Sequence, residues 1–299
     1  MEKILVADIG GTKIAAALAD KRGKLTCRLQ VNSATHESEA MFTSLLSVFS
    51  NVLERENTKP EEIQLIGLGV PGLVDSKKGL AVYQNNLPWR NFPLISRLKV
   101  VYPNAKIAID NDVYMAAWGE WKARQLDKET FVYITISTGI SACIINNGQF
   151  IRGAGMAGEI GFAVVNYNQL NLTLETLASG PALKAEAKQV YNNAAITTER
   201  LLELYNQDDP KAAIIVRKAA RNIARGLHQL ITVLDPHVVT VGGGVINHQP
   251  QFFELIKHEV QLLTQNPIQQ SISERIQASY YKGDAGLQGA RYRAIEGMK

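Results

Sequence analysis

The stretch KILVADIGGTKIAAALADKRG, residues 3–23, decides how the rest of the chain is read. Lys3 to Ala7 and Ile14 to Ala19 are short apolar runs of strand length. They flank the turn Asp8-Ile9-Gly10-Gly11-Thr12-Lys13, and Arg22-Gly23 makes the next turn. Residues 131–148, FVYITISTGISACIINNG, repeat the plan. Phe131 to Ile136 reads as a strand, Ser137-Thr138-Gly139 as a small-residue turn and Ile140 to Ile145 as a second strand. Asn147-Gly148 is a favoured hairpin dipeptide. Thr12 and Gly23 are eleven residues apart, Thr138 and Gly148 ten. One plan used twice predicts a two-lobed α/β chain with duplicated hairpin-containing sheets. A third small-residue turn, Gly242-Gly243-Gly244, follows the strand Val238 to Val241.

Between these landmarks, apolar periodicity predicts helices over 37–55, 113–124, 174–190, 198–206, 211–234, 250–263 and 285–296. Gly180-Pro181 interrupts the third of these. Asp235-Pro236 ends the long one, because a residue before proline disfavours the α region. Strands are expected over 64–70, ending in Pro71-Gly72, and over 106–110. The duplication puts a boundary near Asn111 to Tyr114, giving lobes of 1–113 plus 285–299 and of 114–284.

With 299 residues, 46% of them apolar and 20% charged, the chain is long enough for two cores and reads as globular. The net charge of +4 is thinly spread. Its densest basic stretch, Arg217, Lys218, Arg221 and Arg225, reads as a solvated helix face, so no nucleic-acid partner is implied. Cys27 and Cys143 form no Cys-x-x-Cys pair, which excludes a thiolate zinc site and argues against a disulfide framework. There is no signal-peptide h-region, and no apolar run nears the ~20 residues that span a bilayer. A cytoplasmic protein without a membrane partner is expected.

The turn at 8–13 carries chemistry. Gly10 and Gly11 let backbone N–H groups approach a ligand, Thr12 adds a hydroxyl, Lys13 a cation and Asp8 a carboxylate. Such a set could cradle phosphates and hold a metal; an ordinary tight hairpin loop is an equal alternative. The glycine spacing is neither that of a Walker A loop nor that of a dinucleotide fingerprint. Thr138, Gly139, Gly243 and Gly244 in the two later turns suggest phosphate contacts from both lobes, with a hinge that brings reactants together and excludes water.

Taken in order, Asp8 to Lys13, Val70-Pro71-Gly72, Asn86-Leu87-Pro88-Trp89, Asp110-Asn111-Asp112, Ala157-Gly158-Glu159-Ile160-Gly161, Leu174-Glu175, Val241 to Gly244 and Asp284-Ala285-Gly286-Leu287 resemble the motifs of the ROK family of repressors, open reading frames and kinases. The resemblance spans nearly the whole chain. It implies an actin/hexokinase-like (ribonuclease H-like) fold, a homodimer with dimerisation helices in the second lobe, and ATP with Mg²⁺ between the lobes. It assigns Asp112 as the general base that accepts the proton of the attacking sugar hydroxyl, which agrees with phosphoryl transfer being mostly positioning and charge stabilisation. A helix N-cap at Asn111-Asp112 is compatible with that role. Gly72, Asn86, Asn111, Asp112, Glu159 and Glu175 match the sugar site. For Glu175 the residue-level reading is instead a solvated helix position. Asp8, Gly10, Gly11, Thr12, Lys13, Thr138, Gly139, Gly243 and Gly244 match the nucleotide site, with Asp8 acting on Mg²⁺ indirectly.

Two departures stand out. Family members commonly carry a histidine three residues after the Glu159 position and three downstream cysteines, which together hold a structural zinc. This chain has Phe162 there and no cysteine in 166–173, so no zinc is expected. The family's zinc-free β-glucoside kinases also lack the histidine, which points to a β-glucoside or glucose-type substrate. In the second departure, Ser141 and Cys143 stand in a loop that is richer in glycine in the family. Either the strand packs differently there or nucleotide affinity is weakened. The reading is therefore an ATP-dependent kinase for the 6-hydroxyl of a hexose, with N-acetylmannosamine kinase as an alternative. A non-catalytic sugar-binding protein is the alternative of another class. A repressor is disfavoured, because the first strand begins at Lys3 and leaves no room for a helix-turn-helix segment.

Overall fold

The computed structural model describes residues 3–84, 87–166 and 171–297. Two compact units emerge, Met1–Gln125 with Asp284–Lys299, and Leu126–Gly283.

The first unit runs β1 (Ile4–Ile9), β2 (Lys13–Ala19), β3 (Leu25–Asn32), α1 (Ser38–Arg55), β4 (Leu65–Val70), β5 (Leu73–Asp75), β6 (Leu80–Tyr83), β7 (Arg90–Phe92), α2 (Leu94–Val101), β8 (Lys106–Asn111) and α3 (Asp112–Ala123). The second runs β9 (Phe131–Ile136), β10 (Ile140–Asn146), β11 (Gln149–Ile151), α4 (Leu174–Ala178), α5 (Gly180–Tyr191), α6 (Thr198–Asn206), α7 (Pro210–Leu234), β12 (Val238–Gly242), α8 (Pro250–Leu263) and β13 (Ile276–Ala278). The chain then returns to the first unit as α9 (Ala285–Glu296).

The duplication is visible in strand order and sense. One sheet is ordered β3-β2-β1-β4-β8, the other β11-β10-β9-β12-β13. In each, a central strand pairs antiparallel with the strand after it and parallel with the strand on its other side. Asn147 and Gly148 both have positive φ, 50° and 66°, as the predicted hairpin turn demands.

Strand alternation positions the chemistry of the first unit. Leu5, Ala7 and Ile9 of β1 join the core under α1, whereas Ile4 and Val6 join Met115, Leu287 and Ala290 under α3 and α9. Asp8 has the parity of Ile4 and Val6 and therefore lies on the α3–α9 face. Those two helices pack very closely, since a Cβ on Gly289 would lie 1.6 Å from the Met115 carbonyl oxygen.

In the second unit, Ile134, Ile136, Ile140, Ala142 and Val241 share one core with α7 and α8. The predicted helix over 174–190 is two helices. Ser179 caps the second, accepting from the Ala182 N–H at 3.4 Å, and Pro181 follows in its first turn. The basic stripe of α7 lies on its exposed side, where Lys218 pairs with Glu186 and Arg221 with Glu259. Among the described residues, no helix is long and apolar enough to cross a membrane.

Candidate active site

Asp8, next to last in β1, lies against the first turn of α9. Register places Gly69 of β4 between Asp8 on β1 and Asp110 on β8. A Cβ on Gly69 would lie 3.1 Å from Asp8 Oδ1 and 3.2 Å from the Asp112 Cα. One on Gly286 would lie 2.5 Å from Asp8 Oδ2. Two glycines thus leave the space that the Asp8 carboxylate fills. Burial pushes its pKa up to about 7, the Asp112 carboxylate adds to the rise and Arg28 opposes it. Arg28 is itself held by Asp284, Nε to Oδ1 at 2.6 Å.

The β1–β2 turn is closed by the Gly10 N–H, which donates to the Lys13 carbonyl at 2.9 Å. A Cβ on Gly10 would lie 3.0 Å from that same oxygen, so this glycine serves the turn itself. Gly11, Thr12 and Lys13 are exposed at the tip. Ser33, which the sequence did not single out, braces the loop from β3. Its N–H donates to Thr12 O at 2.9 Å and its hydroxyl to Gly10 O at 2.6 Å. Among the described residues, the N–H groups of Gly11 and Thr12 have no backbone acceptor, as a loop that binds an anion requires.

Asn111 is committed to the fold. Its Oδ1 accepts from the N–H groups of Val113 and Tyr114 at 2.9 and 3.2 Å, capping α3. Its Nδ2 donates to Gly72 O at 2.9 Å. Asp112 follows as the first residue of α3, half-buried. Gly72 has φ +81°, and a Cβ on it would lie 2.3 Å from Tyr83 O. It therefore joins the cap to the small β5-β6-β7 sheet. Asn86 lies outside the described residues.

The fit to a magnesium ion is set by donor chemistry. Asp8 and Asp112 are two neighbouring carboxylates, one destabilised as an anion by burial and by the other. Mg²⁺ is usually bound by one or two carboxylates together with substrate phosphates, not by an all-protein cage. No cluster of three or more His, Cys, Asp or Glu is placed to hold a metal among the described residues.

In the second unit, Glu175 is no solvated helix residue. Its Oε2 accepts from the Ile140 N–H at 2.9 Å, and Cβ atoms on Gly139 and Gly161 would lie 2.6 and 3.2 Å from that oxygen. Glu159 stands just before a short 3₁₀ turn, the residue exposed as a whole but its carboxylate end set near Ser141 and Glu175. Burial of the carboxylate and nearby Glu175 raise its pKa, while Ser141 lowers it. Phe162, three residues on, is 63% exposed. Thr138 is the exposed tip of the β9–β10 turn, which Ser137 N–H closes on Gly139 O at 2.9 Å. Beside it, Gly243 has φ +97°, and a Cβ there would lie 2.4 Å from Ile136 O. Gly244 is open to solvent. Cys143 is buried in β10.

The ROK family profile matches residues 4–296. The chain belongs to the ROK family. It is 28% identical to an N-acetylmannosamine kinase of Shigella flexneri, over 96% of each chain. Its fold superposes on a ROK family glucokinase from Streptomyces griseus, in complex with glucose and AMPPNP, with a TM-score of 0.85 at 26% identity, covering 99% and 100% of the two chains. A ROK hexokinase from Thermus thermophilus gives 0.76 at 29% identity, covering 98% of each. The fold is thus the actin/hexokinase-like fold of ROK sugar kinases.

Proposed function

We propose that this ROK protein is an ATP-dependent sugar kinase that transfers the ATP γ-phosphoryl group to the 6-hydroxyl of a hexose. The observation that carries the reading is Asp112: a half-buried carboxylate fixed at the start of α3 by the Asn111 cap, beside Asp8. In this reading Asp112 accepts the proton of the attacking hydroxyl. Gly11 and Thr12 donate to ATP phosphates, as do Thr138 and Gly244. Magnesium, held through Asp8 and Asp112, neutralises phosphate charge when bound. Glu159 and Glu175 accept sugar hydroxyls, and Asn111 offers its remaining Nδ2 hydrogen. A cytoplasmic homodimer fits the family.

The exposed ring of Phe162, three residues after Glu159, supports a β-glucoside or glucose-type substrate, because an aromatic face packs on the apolar face of a pyranose. A second reading, N-acetylmannosamine kinase, is favoured by the relatives that carry that name.

Sugar-dependent ADP release over glucose, N-acetylmannosamine, cellobiose and gentiobiose separates these readings, and the absence of turnover on all sugars would overturn the kinase. Asp112→Asn is expected to lower kcat by about 10³-fold or more with sugar KM changed little. Near-normal turnover in this variant would remove Asp112 from the base role.

A further inference from the structure

We infer that Ser141 is a positioning residue for Glu159, so that the serine in this glycine-poor loop serves the sugar and not the nucleotide. The inference rests on the sugar-kinase reading above. Ser141 has the parity opposite to Ile140 and Ala142, which lie in the α7–α8 core, and so its side chain leaves that core.

The backbone brings Glu159 to it. Ala142 N–H donates to Gly158 O at 2.7 Å, and the same oxygen receives the Ile160 N–H at 2.7 Å. Gly158 has φ +91°, and a Cβ on it would lie 2.1 Å from Ala142 O, so only glycine permits this approach. With residue 158 pinned on residue 142, the Ser141 side chain stands next to the Glu159 carboxylate, where its hydroxyl is placed to donate.

The bond matters because Glu159 has a like-charged neighbour. Glu175 is fixed against Ile140 N–H, one residue away on the same strand, and its charge disfavours ionised Glu159. A hydroxyl donor favours the carboxylate form and holds one rotamer of a long, otherwise mobile side chain. A glycine at position 141 offers neither. Glu159 is thereby kept as an oriented acceptor for a sugar hydroxyl.

The test compares Ser141→Ala and Ser141→Thr with the wild type. Ser141→Ala is expected to raise sugar KM roughly tenfold, the size of a hydrogen bond to a charged group. ATP KM should stay within about twofold, and Ser141→Thr should behave as the wild type. A rise in ATP KM with sugar KM unmoved overturns the inference. Independently, ¹³C-carboxyl titration of Glu159 should move to higher pH in Ser141→Ala; an unmoved titration overturns it as well. That second measurement decides even if the wild type turns over no sugar, an outcome that would sink the kinase reading.

Discussion

Asp8 and Asp112 converge on Gly69, where a single Cβ would lie 3.1 Å from the Asp8 carboxylate and 3.2 Å from the Asp112 backbone. The first belongs to a strand, the second to the helix after β8. Their separation in sequence is closed by parallel pairing of β1, β4 and β8. What Gly69 and Gly286 omit is as much part of the site as the carboxylates.

Gly286→Ala tests that statement. Within the first turn of a helix, the exchange would ordinarily be neutral or stabilising. Here the new methyl would stand 2.5 Å from Asp8 Oδ2 and must displace it. The expected result is a fall in kcat/KM for ATP of about tenfold or more with the circular dichroism spectrum unchanged. Unchanged kinetics would show that Asp8 has no fixed task.

Asp8→Asn separates stability from activity. The fold raises the Asp8 pKa to about 7, above its unfolded value of 3.8, so the native state retains a proton that the unfolded chain has lost. The stability contributed by neutral Asp8 is complete below about pH 4 and disappears as pH rises through about 7. Asp8→Asn, which is always neutral, is therefore expected to be more stable than the wild type at pH 8, by on the order of 4 kcal/mol, and to melt higher. The two should converge near pH 4, and the variant should lack kinase activity at both. A lower Tm at pH 8 would contradict the assigned shift.

Asn111→Ala removes the helix cap and the bond to Gly72 together. Loss of the cap costs about 1–2 kcal/mol, readable as a lower midpoint in urea. Because Asp112 is the next residue, kcat should fall as well. Asn111→Asp keeps the cap acceptor but loses the donor to Gly72 O, and should recover most of the stability. Equal loss in both variants would assign the effect to the Gly72 bond.

Glu175→Ala leaves the Ile140 N–H without its acceptor, and Glu175→Gln preserves one. An unsatisfied buried donor costs about 1–3 kcal/mol, so the alanine variant should be the less stable. Both variants should raise sugar KM if Glu175 binds the sugar. A lower Tm with unchanged sugar KM would leave Glu175 a purely structural role.

How much of this was legible beforehand depended on the range of the signal. The paired hairpins were, because β1, β2, β9 and β10 are nearly continuous apolar runs ended by Gly, Thr or Asn turns. β3 was not: its residues alternate between half-buried and exposed, and Cys27 has φ 48° where the β2–β3 register shifts. The β5-β6-β7 sheet has strands of three or four residues, too short to show a period.

The sequence by itself determined the duplicated plan, the family, and the identity of the carboxylates and turns that could do chemistry, since all of these are written in local composition and order. Only the tertiary structure decided what those residues touch. Glu175 reads locally as a helix-surface residue, yet it holds the start of β10 through Ile140. Gly10 reads as room for a phosphate, and only the fold shows that a Cβ there would also lie 3.0 Å from Lys13 O. Ser141 reads locally as an intrusion on the nucleotide, and only the Ala142–Gly158 backbone bond brings Glu159 near it. Hydrogen bonds and close approaches join residues far apart in the chain, and a pattern with a period of two or 3.6 residues carries no record of them.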